Sequence, residues 1–226
     1  MQCVILAAGK GSRLRPLTDE RPKPLVEVCG KTLIDHIVEA LPSAVTELII
    51  VTGYKGEMIR EHCGEVFHGR PVKYVEQEEI NGPAKALWLC EPLINGRFLF
   101  MFADDIHGKD DLARAVSYSR SILATTSDYP ERFGVLVRNP DGTIAKMIEK
   151  PEFPPSNLVA TGPMVLDKNI FSYPPEAPIN GEYFMPEIIM RYKEEHPIAV
   201  VEEDLWLAIG YPEDVERAEA AICPNQ

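Results

Sequence analysis

The sequence has no run of apolar residues of membrane-spanning length, and its hydrophobic stretches are short, as in strands and the buried faces of helices. It also has few basic residues, with 23 lysines and arginines against 35 aspartates and glutamates and a formal net charge of -12. A protein that binds nucleic acid is expected to present a basic surface, which this composition does not favour. We therefore expect neither a membrane nor a nucleic acid as a partner, although local cations can still bind a nucleotide against the global charge.

Cysteine is scarce, with five residues scattered at positions 3, 29, 63, 90 and 223. Their odd number and the lack of a Cys-x-x-Cys pair argue against a zinc site and favour reduced thiols in a cytoplasmic protein. No signal peptide precedes the first predicted strand, which agrees with that location. No Ser-His-Asp constellation stands out either, so the sequence does not indicate catalysis by a side-chain nucleophile of that type.

Length and composition indicate an ordinary globular chain. With 226 residues, 45% of them hydrophobic and 26% charged, the chain is predicted to bury one core and to form a single α/β domain over residues 1–226. Beyond the first strand, a helix is predicted over 31–41, a strand over 47–52, a helix over 57–63 and a strand over 72–76. This alternation predicts right-handed crossovers and a parallel sheet, with ligands at the carboxyl ends of its strands.

The first predicted strand ends in a glycine loop. An apolar run over residues 3–8 stops at Gly9, as expected for a buried strand of a parallel sheet. Gly9 and Gly11 permit positive φ and a close approach of a ligand to backbone N–H groups, which together can hold an anion. Four cations lie nearby in the sequence and could neutralise that anion: Lys10, Arg13, Arg15 and Lys23. The stretch therefore predicts a cradle for a triphosphate.

Two better-known phosphate-binding motifs do not match this chain. The dinucleotide fingerprint requires a third glycine where Leu14 stands, and a P-loop ending at Gly30-Lys31-Thr32 requires a glycine where Leu25 stands. The alternative for the stretch is an ordinary strand and turn with solvated basic residues. That alternative leaves the Pro22-Lys23-Pro24 clamp without an obvious purpose.

Residues 6–18, LAAGKGSRLRPLT, followed by Lys23-Pro24, resemble the signature of the sugar nucleotidylyltransferases, also called nucleoside-diphosphate-sugar pyrophosphorylases. In that family the glycine loop wraps the triphosphate, and the lysine before proline contacts the α-phosphate. The resemblance implies a three-layer Rossmann-like (GT-A-like) α/β fold with a mostly parallel central sheet and an inserted β-hairpin region for the sugar. It implies nucleotide binding by Leu6, Ala7, Ala8, Gly9, Gly11 and Ser12, and catalytic roles for Arg13 and Lys23.

The resemblance extends to a loop and a strand end further along the chain. The counterpart of loop 76–84 reads the base in the family, which implies this role for Gln77 and Gly82. A strongly apolar strand ends in Ala103-Asp104-Asp105, similar to the strand end whose first aspartate holds Mg²⁺ in the family, so Asp104 is the implied metal ligand. The alternatives are a solvated acidic loop at 76–84 and a helix cap at one of the two aspartates.

The second half of the chain carries the remaining matches. A predicted hairpin runs from Phe133-Gly134 into Glu149-Lys150-Pro151, and the family uses such segments to bind the sugar and its 1-phosphate. The residues implied to bind the sugar phosphate are Gly134, Glu149, Lys150, Asn157 and Gly162, with Glu182 as a weaker candidate. The alternatives are a common surface tripeptide, a normal strand edge and a carboxylate at a helix start.

One position departs from the family pattern. Many relatives have an aspartate two residues after the tryptophan of segment 205–214, where it supplies a second metal carboxylate, but this chain has Ala208 there. The metal would then depend on Asp104, phosphate oxygens and water, an arrangement that Mg²⁺ accepts. The departure also leaves open a non-catalytic sensor of nucleotide sugars.

The implied reaction joins an NTP and a sugar 1-phosphate to give an NDP-sugar and pyrophosphate, with Mg²⁺ as the cofactor. The attacking phosphate oxygen is already ionised at about pH 7, so catalysis needs no general base and must come from alignment and charge neutralisation. The nucleotide part is expected at about 1–110 and the sugar-phosphate part at about 111–226, with a homo-oligomer possible. A cytidylyltransferase acting on a phosphorylated alcohol such as phosphocholine is a further alternative, and the base and sugar are left open.

Overall fold

The computed structural model describes residues 1–223 of the chain. The strands are β1 (Gln2–Leu6), β2 (Glu27–Val28), β3 (Lys31–Thr32), β4 (Glu47–Thr52), β5 (Val66–Phe67), β6 (Arg70–Glu76), β7 (Phe98–Phe102), β8 (Asp105–His107), β9 (Ser121–Thr126), β10 (Gly134–Arg138), β11 (Ile144–Glu149), β12 (Leu158–Leu166), β13 (Ala199–Glu202) and β14 (Trp206–Ala208). The helices are α1 (Leu33–Ala40), α2 (Gly56–Cys63), α3 (Pro83–Trp88), α4 (Lys109–Ser117), α5 (Met185–Tyr192) and α6 (Pro212–Ile222).

One large sheet runs through the molecule in the order β11-β10-β12-β7-β1-β4-β6-β5, with β9 beside β12 and β13 beside β9. Its centre is parallel, because β1 pairs with β4 and β7, and β4 pairs with β6. From β12 outward through β10 to β11 the strands pair antiparallel. The predicted parallel central sheet is therefore confirmed, and the antiparallel strands beside it come from the second half of the chain.

Alternate residues of β1 face opposite sides of this sheet. Val4 belongs to one hydrophobic cluster with α3 and α5, whereas Cys3 and Ile5 belong to another with α1 and α4. All three side chains are fully buried. Because neither face of the central strands meets solvent, the run over residues 3–8 is apolar throughout instead of alternating. The two clusters make the predicted three-layer architecture.

The predicted boundaries of the early elements are close to those observed. The strand predicted over 47–52 is β4, and the helix predicted over 57–63 is α2. The helix predicted over 31–41 is shorter, because Lys31–Thr32 pairs with β2 before α1 begins. Thr32 then caps α1, since its Oγ1 accepts a hydrogen bond from the backbone N–H of Asp35 at 3.2 Å.

A third hydrophobic cluster joins segments that are distant in the sequence. Its buried members are Leu14, Val26, Val28, Leu33, Ile106, Ile209 and Ala218. They come from the glycine loop, the β2–β3 hairpin, the start of α1, the two-stranded ribbon of β8 and β14, and helix α6. The cluster therefore fixes the loop after β1 relative to the last helix of the chain.

The prediction of five reduced thiols is wrong for two of the cysteines. Cys29, which follows β2, and Cys223, which follows α6, form a disulfide with their Cα atoms 6.3 Å apart. The backbone N–H of Cys29 also donates to Glu219 Oε1 of α6 at 3.2 Å. These two bonds attach α6 to the β2–β3 hairpin. Cys3, Cys63 and Cys90 are free thiols, as predicted, and all three are buried.

Among residues 1–223, no helix combines the length and the apolar character that crossing a membrane requires.

Candidate active site

The candidate site begins where β1 leaves the sheet. Backbone hydrogen bonds still hold the chain beyond the strand, because Ala7 N–H donates to Val51 O at 2.8 Å and Ala8 O accepts from Tyr54 N–H at 3.1 Å. On the other side Leu6 O accepts from Ala103 N–H at 3.0 Å. These bonds place residues 6–8 on the floor of a cavity of about 490 Å³, which we call the first cavity.

The glycine loop forms the rim of the first cavity. Gly11 has φ +60°, and a Cβ there would lie 2.9 Å from the Cβ of Lys23. Thr18 Oγ1 donates to Gly11 O at 2.9 Å, and the following 3₁₀ turn, Ser12–Leu14, buries Leu14 in the third cluster. The predicted nucleotide-binding residues Leu6, Ala7, Ala8, Gly9, Gly11 and Ser12 all line this cavity, as does Arg13.

Lys23 and Asp104 form an ion pair in the wall of the cavity. Lys23 Nζ donates to Asp104 Oδ2 at 2.9 Å, and the lysine side chain is 11% exposed while that of the aspartate is 39% exposed. The lysine is held by a 3₁₀ turn between Pro22 and Val26, whose N–H donates to Lys23 O. The structure thus brings a predicted catalytic cation into contact with the predicted metal ligand.

Gln77 and Gly82 lie together on the far side of the first cavity. Gln77 is 5% exposed, and its Nε2 donates to Gly82 O at 3.2 Å and to Asn81 Oδ1 at 3.2 Å. A backbone carbonyl only accepts, so the amide nitrogen must face Gly82, and Oε1 is the atom left to accept from a ligand. Gly82 has φ +105°, and a Cβ there would lie 2.5 Å from backbone atoms of Tyr183. Only glycine is therefore accommodated at this position.

A second cavity of about 700 Å³ adjoins the first and shares part of its lining. The shared residues are Arg13, Lys23, Pro83, Phe102 and Asp104. Its remaining walls come mainly from the antiparallel strands, from Asp105 on β8, from β14 and from the starts of α5 and α6. A molecule that spanned both cavities would pass beside the Lys23–Asp104 pair.

The residues predicted to bind the sugar phosphate mostly line the second cavity. Gly134 on β10 pairs with Glu149 on β11, and Lys150 N–H donates to Phe133 O at 3.0 Å. Lys150 Nζ lies 3.5 Å from Glu149 Oε1, with the lysine side chain 53% exposed. Glu149 and Lys150 therefore present one carboxylate and one ammonium group to the same space.

Gly162 and Asn157 have different positions. Gly162 lies in a bulge of β12 with φ +119°, lines the second cavity, and would bring a Cβ within 2.9 Å of the Phe102 ring. Asn157 lines neither cavity, and its backbone carbonyl accepts from Ser127 N–H at 2.9 Å. The structure thus brings together all the predicted site residues except Asn157. The weaker candidate Glu182 lines the first cavity.

Several residues of the second cavity were not predicted from the sequence. Tyr211 is one of them, and the guanidinium carbon of Arg13 lies over its ring, 5.6 Å from the ring centroid. Asp214 accepts from the backbone N–H groups of Gly210 and Tyr211, each at 2.8 Å, and so organises the start of α6. Their sequence signal was weak, because single aromatic and acidic residues near a helix start are common.

Asp105 is a further residue of the second cavity to which the sequence analysis gave no role in binding or catalysis. Burial, followed by the charge of Asp104, raises the pKa of its carboxyl group to about 6. It begins β8, where its register partner on β14 is Ala208. Its position directly after the predicted metal ligand was the only available signal.

The donor set agrees with a metal ion shared between protein and ligand. Among the described residues, no three His, Cys, Asp or Glu side chains form a group that could hold a metal. Asp104 offers one hard carboxylate oxygen donor at the junction of the cavities, and Ala208 offers none. Mg²⁺ commonly uses one or two carboxylates and takes its other ligands from phosphates and water, so the arrangement suits Mg²⁺ with a bound nucleotide.

Comparison with known proteins relates the whole chain to one family. The nucleotidyl transferase family model matches residues 2–224. UTP–glucose-1-phosphate uridylyltransferase AglF of Haloferax volcanii is 40% identical over 98% of this chain and 96% of its own length. The bifunctional protein GlmU of Methanocaldococcus jannaschii is 34% identical over 96% of this chain, which spans about half (53%) of that relative.

Solved structures show the same architecture. A candidate glucose-1-phosphate thymidylyltransferase of Bacillus anthracis, in complex with sucrose, superposes with a TM-score of 0.87 at 29% identity, covering 98% of this chain and 95% of its own. A UDP-glucose pyrophosphorylase in complex with UDP-glucose gives a TM-score of 0.84 over 100% of this chain and 99% of its own. The identity of 24% with the latter supports the fold alone.

Proposed function

Because the chain belongs to the nucleotidyl transferase family, we propose that it transfers a uridylyl group from UTP to a hexose 1-phosphate, releasing pyrophosphate and forming a UDP-hexose. One observation carries the proposal: two adjoining cavities meet at the Lys23–Asp104 pair, with the glycine loop on one side and Glu149–Lys150 on the other. This arrangement suits two phosphorylated substrates that react at the junction.

Gln77 offers a nucleobase one hydrogen-bond acceptor. Its Nε2 already donates to Gly82 O and Asn81 Oδ1, which leaves Oε1 as an acceptor. Such an acceptor can receive the imino N–H of uracil, thymine or guanine, or the exocyclic amino group of cytosine or adenine, so it does not by itself select the base. The UTP named for the Haloferax relative makes uracil the base we propose.

The site residues have separate roles in this reaction. Arg13 would hold the departing β- and γ-phosphates, Lys23 the α-phosphate, and Lys150 the phosphate of the incoming sugar. Glu149 would accept a hydrogen bond from a sugar hydroxyl. Since the attacking oxygen is ionised at about pH 7, these groups act by aligning two anions and stabilising charge at the α-phosphorus.

Mg²⁺ is part of the proposal, with Asp104 as the residue that would hold it. When bound, the ion supplies a positive charge that stabilises the transferred phosphoryl group. Before substrates bind, Lys23 compensates the charge of Asp104. The cytoplasmic location, a possible homo-oligomer and the division of one domain at about residue 110 stay predictions.

Pyrophosphate release tests the reaction directly. The protein is incubated with each of UTP, dTTP, CTP, GTP and ATP, paired with a panel of sugar 1-phosphates, with and without Mg²⁺. We expect UTP with glucose 1-phosphate to give release that depends on Mg²⁺, and CTP and ATP to be poor substrates. Release with CTP at the rate of UTP would contradict uracil as the proposed base.

A second candidate is a non-catalytic sensor of nucleotide sugars. The observation that favours it is Ala208, which removes a carboxylate that many relatives place beside the metal. In that case no nucleotide and sugar 1-phosphate pair releases pyrophosphate, while UDP-glucose still raises the melting temperature. The basic residues Arg13 and Lys23 at the cavity junction favour the enzyme.

A further inference from the structure

Asp105 lies opposite Ala208, so its position would allow it to supply the carboxylate that is missing at residue 208. The antiparallel register of β8 and β14 places the two residues opposite each other, and both line the second cavity. A relocated metal ligand is therefore the first interpretation to consider. The hydrogen bonds of Asp105 point to a different role.

Both carboxylate oxygens of Asp105 are used within the protein. Oδ2 accepts from the indole Nε1–H of Trp206 at 2.9 Å, and Oδ1 accepts from the backbone N–H of Ile209 at 3.2 Å. Each bond goes to β14 or to the residue that follows it. The carboxylate thus holds this segment at two points, one of which determines the orientation of an aromatic side chain.

Trp206 contacts the part of the second cavity that is proposed to bind the sugar phosphate. Its ring packs edge-on against Phe133, with centroids 5.1 Å apart and an interplanar angle of 71°. Phe133 O accepts from Lys150 N–H at 3.0 Å, and Gly134 follows directly on β10. Both aromatic rings line the second cavity.

We propose that Asp105 is a positioning residue that holds Trp206 against Phe133 and thereby shapes the wall on which the sugar 1-phosphate binds. This inference rests on the proposed function for the identity of the ligand. In this role Asp105 contacts neither the phosphates nor the reacting atoms, and it acts only through Trp206.

Both bonds need an acceptor atom, and a carboxylate has two such oxygens whereas an amide has one. Both oxygens receive N–H donors, so Asp105→Asn must turn its own NH₂ group toward one of them. A buried donor facing another donor loses its partner, and we expect the KM for the sugar 1-phosphate to rise about tenfold. The KM for UTP should stay within about twofold, because the first cavity does not include Asp105.

The chain has two tryptophans, so Trp88→Phe leaves Trp206 as the sole indole fluorophore. In that background, Asp105→Asn should shift the emission maximum of the ligand-free protein and increase quenching by acrylamide. Asp110→Asn, on the exposed first turn of α4, is the matched control and should change neither quantity. Because this measurement needs no substrate, it separates failure of the inference from failure of the proposed reaction.

Trp206→Phe tests the same contact from the other side and also covers the case in which Asp105→Asn does not fold. It keeps an aromatic ring beside Phe133 and removes the Nε1–H, so the KM for the sugar 1-phosphate should rise. In a Trp206→Phe background, Asp105→Asn should add less than it does alone, because the donor it opposes is gone.

Two results would overturn the proposal. One is unchanged Trp206 emission in the Asp105→Asn variant. The other is loss of Mn²⁺ binding in that variant, measured by electron paramagnetic resonance with UTP present, while the KM for the sugar 1-phosphate is unaffected. The second result would make Asp105 a metal ligand.

Discussion

The first cavity is lined largely by a glycine loop at the ends of parallel strands, whereas the second is lined mainly by side chains that project from antiparallel strands and from β14 and α6. In the first, backbone hydrogen bonds hold residues 6–8 on both sides, and Gly11 and Gly82 take conformations that bring backbone close to a ligand or to a neighbouring loop. In the second, three methionines face the same space as Glu149 and Lys150: Met147, Met164 and Met185.

The two kinds of lining suit two kinds of ligand recognition, one for the triphosphate and one for the acceptor. A triphosphate is the same in every substrate of such an enzyme, so a rigid backbone cradle with fixed cations suits it. Side chains on strands, in contrast, can change one at a time without altering the sheet. Substitutions in the first cavity should therefore affect binding and turnover strongly, and substitutions in the second should mainly shift the KM for the acceptor.

The largest effect is expected from Arg13→Ala, which removes one of the two cations, Arg13 and Lys23, that line both cavities. Loss of one preorganised charge aimed at the transition state costs about 3 kcal/mol or more, or at least about 100-fold in kcat/KM. Arg13 is exposed, so the fold and melting temperature should not change. Arg138→Ala, an exposed arginine paired with Glu202, is the control. A kcat/KM within about tenfold of the parent would contradict the assigned role.

Gly82→Ala should disrupt the part of the first cavity that is proposed to bind the nucleobase. The new Cβ would meet the backbone of Tyr183 at 2.5 Å and sit at φ +105°, a strained conformation that by itself costs about 1–3 kcal/mol. We expect the KM for UTP to rise about tenfold or more while the KM for the sugar 1-phosphate changes little.

Gly142→Ala is the matched control for Gly82→Ala. Gly142 also has positive φ, +86°, but a Cβ there meets nothing within 4 Å and the residue lines neither cavity. Gly142→Ala therefore measures the effect of backbone strain without a steric clash. Equal effects of the two substitutions on the KM for UTP would contradict a specific role for the 82–183 contact.

Lys150→Met should act on the second cavity alone. The lysine is about half exposed and carries an ammonium group 3.5 Å from Glu149, so its contribution to phosphate binding is screened by solvent. We expect the KM for the sugar 1-phosphate to rise about fivefold, which corresponds to about 1 kcal/mol. The effect should shrink at higher salt. Lys146→Met, at an exposed position of β11 and outside the cavity, should leave both KM values unchanged.

The smallest effect concerns a site outside both cavities. Burial alone would raise the pKa of Asp35, but hydrogen bonds from Thr32, His68 and His62 outweigh it and lower the pKa to about 2. An unfolded aspartate titrates at about 3.9, so the stabilisation is present above about pH 4 and is lost as the pH falls through about 2.

Asp35→Asn should therefore lower the free energy of unfolding at about pH 7 by about 1 kcal/mol, with no change in either KM. In urea titrations the difference from the parent should close between about pH 4 and pH 2. A difference that stays constant over this range would show that the carboxylate charge does not stabilise the fold.

Local patterns were sufficient to predict much of the parallel half. The apolar run 3–8 and the glycines after it identify β1 and the loop, because burial on both faces of the strand and the positive φ of Gly11 are reflected directly in the sequence. The interval between Gly9 and Lys23 is short, so about half of the lining of the first cavity comes from the single segment 6–24. Gln77, Gly82 and Asp104 lie far from that segment in the sequence and were predicted from the family resemblance.

The second half depends on contacts between distant segments, and there the sequence was less informative. The ribbon of β8 and β14 has three residues in each strand, too few for a period of two to be recognised, and its partners lie about 100 positions apart. Trp206, Tyr211 and Asp214 come to the site only through that ribbon and α6. Asn157 is the converse case, since its place in a matching segment does not bring it to either cavity.

The disulfide between Cys29 and Cys223 also could not be predicted, because the two residues are 194 positions apart and lie in no recognised spacing. Its consequence is topological: the chain from 29 to 223 becomes a covalently closed ring, and residues 1–28, with the glycine loop and Lys23, form an arm outside the ring that packs into the sheet through β1. A protease that cuts once within the ring therefore produces no separable fragments until a reductant is added. The two pieces remain one covalent molecule, with the arm still attached.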